Sequence, residues 1–253
     1  MRFYLGTGMP GWLETVPVPL FVSHRRLANR KTLPQALAPW ALDSGGFTEL
    51  SMYGQWQLTA RAYATAVRRY RDEVGRLDFA SQQDWMCEPS MLAKTGRTVD
   101  EHQDLTVANY LELRSIAPDL PIIPVLQGWR TVEYLRCVDK FAAAGIDLTA
   151  EPRVGIGSVC RRTTLLNMSL LISRLTADGL RLHGFGFGLQ GLEYSAGKLA
   201  SSDSMAWSAA GRREPGCGPT HKTEANCLDY ALWWRGQVVR AAGGQVEGHV
   251  LAA

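Results

Sequence analysis

The feature that most constrains this chain is an alternation. Eight short apolar segments, Arg2–Leu5, Leu20–Val22, Trp40–Asp43, Phe79–Ser81, Ile122–Leu126, Arg153–Ile156, Leu182–Phe185 and Leu199–Ser202, are separated by stretches that are mostly helical in pattern. Strands joined through helices pair in parallel, because a parallel partner needs a long crossover connection. The helical stretches carry their own boundary signals. Leu58–Val74 is closed by Gly75, Thr98–Ile116 opens on Thr98 with Glu101 three residues on, and Thr131–Ala144 runs into Gly145. Thr163–Ala177 and Thr223–Ala242 complete the set, while the segments before Trp40 and after Gly191 are short and irregular. Eight such units in 253 residues predict an α/β fold, a near-minimal (β/α)8 TIM barrel, with a doubly wound sheet as the competitor. No Ser/Pro-rich linker divides residues 1–253, so one domain is expected, with a small zinc-binding extension at 211–253 left open.

Composition narrows the class. No apolar run approaches the ~20 residues that a membrane helix requires. The N-terminus reads as a strand, with no long apolar stretch behind Arg2 to make a signal peptide. Five irregularly spaced cysteines argue against a disulfide framework and for a reducing, cytoplasmic setting. A net charge of +3 neither requires nor excludes nucleic acid, so the placement of the charges matters more than their sum.

In a barrel, residues just past each strand share one rim, where ligands bind. Asp43-Ser44-Gly45-Gly46 follows the third strand and Gln82-Gln83-Asp84 the fourth. Gln127-Gly128 follows the fifth, Gly157-Ser158 the sixth, Gly186-Phe187-Gly188 the seventh and Asp203 the eighth. One strand-end aspartate is ordinarily a cap. Three on one rim, with an amide side chain and glycines between them, suit a flat polar ligand.

These pieces resemble the tRNA-guanine transglycosylase superfamily. Asp43-Ser44-Gly45-Gly46-Phe47 is similar to its Asp-Ser-Gly-Gly-Phe motif, and Asp84-Trp85-Met86-Cys87-Glu88-Pro89 to its Asp-Glu-Cys-Thr-Pro region. Val125-Leu126-Gln127-Gly128 resembles its Val-Gln-Gly strand end. Gly155-Ile156-Gly157-Ser158-Val159 is similar to Ile-Gly-Gly-Leu, and Gly184-Phe185-Gly186-Phe187-Gly188 to Met-Gly-Val-Gly. Asp203 falls where the family's nucleophilic aspartate lies, after the eighth strand. The ordered set spans about residues 40 to 208. The chain lacks the length of the tRNA enzymes, and Ser-Met-Ala-Trp-Ser follows Asp203 where they carry Cys-Val-Met-Pro-Thr-Arg. It looks more like the DNA-modifying branch, which inserts a 7-deazaguanine base into DNA.

The resemblance implies a pentosyltransferase with Asp203 as nucleophile and Asp43 as general acid/base. Asp84 would accept from the donor edge of a guanine-type base. Gln127, Gly128, Gly157, Ser158, Ser44, Gly45 and Gly186 would complete the base site, with Phe47, Trp85 or Phe187 stacking on the ring. The DNA guanine would be flipped or single-stranded. Arginine pairs on the same rim, Arg25-Arg26 after His24, Arg161-Arg162 and Arg212-Arg213, are the candidate phosphate contacts. Base exchange in tRNA, and a non-catalytic nucleobase or nucleic-acid binder on the same barrel, stay open beside this expectation.

The chemistry needs no cofactor. Cys217, His221, Cys227 and His249 form a candidate structural zinc set, with soft thiolate and imidazole donors. Gly186-x-Gly188-x-x-Gly191 fits a dinucleotide fingerprint, but too few residues follow before the next strand for a Rossmann crossover. Cys87, Cys137 and Cys160 suit small core positions. His102 is expected on a helix surface and His183 in barrel packing.

Overall fold

A computed structural model describes residues 1–159 and 165–243. In chain order the elements are β1 (Arg2–Thr7), a 3-10 turn (Pro10–Glu14), β2 (Leu20–Ser23), α1 (His24–Leu27), β3 (Trp40–Asp43), α2 (Gly46–Tyr53), α3 (Ala60–Val74), β4 (Leu77–Ser81), α4 (Pro89–Thr95) and α5 (Val99–Ile116). There follow β5 (Ile122–Ile123), β6 (Val125–Leu126), α6 (Thr131–Ala143), β7 (Val154–Ile156), α7 (Leu165–Ala177), β8 (Leu182–Gly184), α8 (Leu189–Ser195), β9 (Ser201–Ser204) and α9 (Ala206–Gly211). A 3-10 turn (Glu224–Asn226) and α10 (Leu228–Ala241) end the described chain.

All neighbouring strands pair in parallel, in the order β5-β4-β3-β2-β1-β9-β8-β7-β6. The two ends of that list are consecutive in sequence. β5 pairs with β4 and β6 with β7, so a single stretch of chain closes the ring. Pro124 splits this fifth strand because it has no N–H to give the ladder. The side chain of Gln82 spans the break, accepting from the Val125 amide at 3.0 Å. The fold is therefore the TIM-like barrel expected, with nine strand segments filling eight positions.

Period-two alternation sorts the strand side chains. Phe3, Leu5, Leu20, Val22, Trp40, Leu42, Val154 and Ile156 point outward and join the large core under the helices. Tyr4, Phe21, Ala41, Phe79 and Ile123 point inward with Phe185 and plug the barrel. The same inward parity carries Asp43, two residues beyond Ala41, to the mouth. Irregularity before Trp40 has a packing reason. Trp12 of the first 3-10 turn stacks on Trp207 at 5.6 Å, and Trp234 of α10 lies 6.1 Å from Phe3, so these elements cover β1 in place of a regular helix.

The expected boundaries at α3, α5 and α6 match within two residues, and Thr98 and Glu101 form the capping box. Two expectations are corrected. The last strand is Ser201–Ser204, two residues later than Leu199–Ser202, so Asp203 lies inside the strand and not after it. Polar side chains fill both faces there. Ser201 Oγ meets His183 Nδ1 at 2.9 Å and Ser202 Oγ donates to the Gly184 carbonyl at 2.8 Å, so no hydrophobic alternation marks the segment. The final helix begins at Leu228, not Thr223, because Glu224 and Cys227 turn inward to a cluster described below. Among the described residues no helix is long and apolar enough to cross a membrane.

Candidate functional site at the barrel mouth

The mouth is floored by rings. His183 is fully buried, with its ring 4.9 Å from Phe79 and 4.6 Å from Phe185 by centroid. As expected of a packing residue, burial holds its pKa down, opposed by Asp203. Its Nε2 stands 3.3 Å from Asp203 Oδ1. The Gly186 amide donates to the same oxygen at 3.0 Å, with Gly186 at a φ of +65° that a side chain would strain. Asp203 Oδ1 thus takes a hydrogen bond from Gly186 and is flanked by the His183 ring, whose Nε2 meets no hydrogen-bond criterion.

Asp43 lies within electrostatic reach of Asp203. Burial raises its pKa, the Gly45 amide and the Ser23 hydroxyl oppose the rise, and the Asp203 charge adds to it. Gly45 takes φ +85°, and a Cβ there would press on the Arg25 chain at 3.0 Å. The Ser44 amide is committed to Ser81 Oγ at 2.9 Å. A cleft of about 290 Å³ opens beside this loop, lined among others by Arg25, Ser44, Glu49, Trp56 and Gln57.

Asp84 is pushed up to about 7, chiefly by burial and further by the charges of Asp43 and Glu88, while a bond from Gln127 opposes the shift. Gln127 is fully buried and its Nε2 donates to Asp84 Oδ2. Its Oε1 lies 2.7 Å from Ser158 Oγ, which is also 2.9 Å from Glu88 Oε2 and accepts from the Cys87 amide at 2.9 Å. Gly157 is needed here, since a Cβ would fall 2.2 Å from Gln127 Nε2. Ser158 sits at φ +54°, a left-handed conformation costing roughly 1 kcal/mol or more in a non-glycine residue.

The other candidates divide. Gly128 serves packing, since a Cβ would meet the Tyr134 amide of α6 at 2.9 Å. Of the three rings considered for stacking, only Phe47 is exposed, at 49%. Trp85 is buried in a satellite cluster with Leu50 and Met91, and Phe187 is buried against Gly184 and Gly191, so neither is placed as a lid. Arg25 pairs with Glu49 at 2.8 Å, whereas Arg26, Arg212 and Arg213 are exposed. Arg161, Arg162, Cys160 and His249 lie outside the described residues. His102 is corrected: it is buried, bonding the Met86 carbonyl at 2.7 Å through Nδ1.

Beyond α9, Cys217, His221, Glu224 and Cys227 bring ligand atoms within 4.8 Å of one another. His249 lies outside the described residues; Glu224 is the fourth group found with the other three, and its closeness to them in sequence was the available signal. A tetrahedral zinc with Zn–S of about 2.3 Å and Zn–N of about 2.0 Å sets S···S at about 3.8 Å and S···N at about 3.5 Å. Cys217 Sγ lies 3.7 Å from Cys227 Sγ and 3.6 Å from His221 Nε2. Glu224 Oε2 is buried and meets no hydrogen-bond criterion among the described residues. The Cys217 thiol is pushed up to about 11, first by Cys227 and then by Glu224, a crowd of would-be anions that a divalent cation would stabilise. The group fits a structural metal. Glu224→Ala is expected to cut zinc affinity at least tenfold and lower Tm, with His249→Ala retaining about one zinc per chain. Metal analysis of both variants checks this, and equal zinc loss from both would refute it.

A nearly closed parallel barrel whose mouth gathers three carboxylates over an aromatic floor is a TIM-like barrel protein. The chain belongs to the DpdA family, DeoxyPurine in DNA protein A, whose model matches residues 1–252. That membership supports a function related to DNA 7-deazaguanine transglycosylation, with DNA as substrate. No curated protein matches the sequence. Among solved structures, the Amycolatopsis orientalis BexX/CysO complex is 12% identical with a TM-score of 0.49, covering 100% of this chain and 94% of that one. A zinc-bound amidohydrolase from Burkholderia ambifaria is 15% identical with a TM-score of 0.41, covering 78% of this chain and 58% of the other.

Proposed function

We propose that the protein exchanges guanine in DNA for a 7-deazaguanine base through a covalent glycosyl intermediate on Asp203. The observation that carries this reading is the arrangement of Asp203 against Asp43 at one mouth, with Asp84 beside them. Exchange without strand scission needs two displacements at the sugar carbon. Asp203 Oδ2 attacks C1′ and the C1′–N9 bond breaks. Asp43, favoured in its protonated form by burial and by the Asp203 charge, gives its proton to the departing guanine. The incoming base then loses its N9 proton to Asp43 and attacks C1′, and Asp203 departs as a carboxylate.

The Gly186 amide and the fixed His183 ring keep Oδ1 out of the reaction and aim Oδ2 at the sugar. Asp84 accepts from N1–H and the 2-amino group, an edge that guanine and 7-deazaguanine share. Phe47 stacks on the extruded base, and Arg26, Arg212 and Arg213 are the described cations free to meet phosphate, with Arg25 shared with Glu49. All of this chemistry is assigned to one domain.

Labelled guanine offered side by side with duplex DNA, single-stranded DNA and tRNA tests the reading. Incorporation into DNA, with tRNA at least about a hundredfold slower, is expected. Label appearing only in tRNA would move the protein to tRNA exchange. Tight base or DNA binding with no incorporation anywhere would make it a binder.

A further inference from the structure

We infer that Glu88 is a positioning residue that shares one proton with Asp84 through Ser158 and the Gln127 amide, and so decides whether Asp84 meets the base as a carboxylate. This rests on Asp84 facing the base, as proposed above. Three contacts link the four side chains in a row: Asp84 with Gln127, Gln127 with Ser158, and Ser158 with Glu88. Each contact at such a distance holds a proton between its heavy atoms, or else two lone pairs face each other. The amide supplies one proton to the row, because it presents N–H at one end and oxygen at the other. The hydroxyl supplies one more. The third must sit on a carboxyl at one end of the row.

Two states satisfy every contact. With the proton on Glu88, that carboxyl donates to Ser158 Oγ, Ser158 donates to Gln127 Oε1, and Gln127 Nε2 donates to an ionised Asp84. With the proton on Asp84, the amide is turned over. Asp84 then donates to the amide oxygen, the amide N–H donates to Ser158 Oγ, and Ser158 donates to an ionised Glu88. The Cys87 amide bonds Ser158 Oγ in both states, so the hydroxyl is saturated either way. The left-handed backbone at Ser158 is what brings its hydroxyl between the two partners.

Several of the described groups near the row bear on this exchange. Asp43 faces Asp84 from β3, and burial of both carboxyls disfavours ionising them together. Burial pushes the Cys87 thiol up and the His102 imidazole down, disfavouring the charged form of each. Glu133 is committed to the amides of Trp129 and Arg130 at 2.7 and 2.8 Å, and Arg97 lies over the Trp85 ring at 5.5 Å. A base whose N1–H and 2-amino group both donate binds the ionised form of Asp84. Its arrival therefore selects the state with the proton on Glu88, and a ring presenting an acceptor there is refused.

Calorimetric binding of guanine and 7-deazaguanine to the full protein, followed from pH 5 to pH 9, tests the inference without requiring exchange. Wild-type affinity should fall as the pH drops below about 7, the value to which Asp84 is raised. Glu88→Gln places a permanent N–H donor on Ser158 and should move that acid limb down by at least about one pH unit, a tenfold gain at pH 6. In a Ser158→Ala background the same substitution should move the limb far less, since the row is cut. An equal shift in both backgrounds would mean only through-space repulsion and would overturn the inference, as would no shift at all. Should Ser158→Ala not fold, difference infrared spectroscopy decides. In an Asp43→Asn background, which removes the other protonated carboxyl of the mouth, a protonated-carboxyl band should survive base binding and be lost when Glu88→Gln is added; its persistence in the double variant refutes the sharing. Absence of base binding at every pH would instead sink the proposed function.

Discussion

Asp203→Ala abolishes base exchange, with kcat/KM falling roughly ten-thousand-fold or more, the scale on which removing a covalent nucleophile acts. The loss is this large because neither of the other two aspartates described at the mouth replaces it. Asp43 is favoured in its protonated form, and Asp84 is bonded to Gln127. Two readouts separate this from a general loss of structure. Denatured wild-type reactions should carry a DNA–protein adduct mapping to Asp203, and the variant should carry none while retaining its Tm within a few degrees and its affinity for 7-deazaguanine within about threefold. Asp43→Asn should slow exchange by about a hundredfold or more, the worth of a general acid/base, and should leave the adduct able to form with a good leaving base. Full exchange by Asp203→Ala would remove the proposed mechanism outright.

Asp84→Asn is expected to stabilise the protein at pH 8 while it weakens base binding. The carboxyl sits near 7 in the fold, against about 3.9 in an unfolded chain, because burial and the charges of Asp43 and Glu88 disfavour ionisation. The folded state thus takes up this proton more readily than the unfolded state. The associated stability is fully present below about pH 4 and is lost as the pH rises through about 7. At pH 8 the ionised group costs on the order of 2–4 kcal/mol, with the lower figure favoured by the partly open setting of the side chain. Asparagine removes the charge and still accepts the Gln127 bond, so Tm at pH 8 should rise by roughly 4–10 °C. At pH 4 wild type and variant should melt alike. Affinity for 7-deazaguanine at pH 8 should fall tenfold to a hundredfold, from the loss of charge-assisted bonds worth about 1.5–3 kcal/mol. A Tm difference independent of pH would show that Asp84 is not held in this way. Such an exchange of stability for binding is common where a site keeps a buried charge.

Much of the framework was legible in the chain. Outward-facing Leu20, Val22, Trp40 and Leu42 alternate with inward Phe21 and Ala41, and the helix signals at Thr98, Gly75 and Gly145 mark ends that need no tertiary information. Asp43, at the end of a strand and before two glycines, is where sequence pattern and fold coincide. Asp203 was legible only through its motif, since Ser201 to Ser204 has no apolar face from which a strand could be inferred. Glu224 was missed because a carboxylate able to join a metal site looks in sequence like any surface acid, and its burial beside two thiols appears only on folding. Glu88 stood inside a quoted motif without a role, for the same reason.

The sequence by itself determined the kind of architecture and the positions that a parallel barrel delivers to its rim, because strand parity and helix capping are local properties of the chain. Only the tertiary structure decided which rim groups touch: that Gly186 and His183 address one oxygen of Asp203, that Trp85 and Phe187 are packing groups, and that Ser158 and the Gln127 amide stand in a row between Glu88 and Asp84. Those facts depend on distances between segments far apart in the chain. Such distances are fixed when β5 and β6 close the ring and the strands' shear sets the level of each side chain at the mouth.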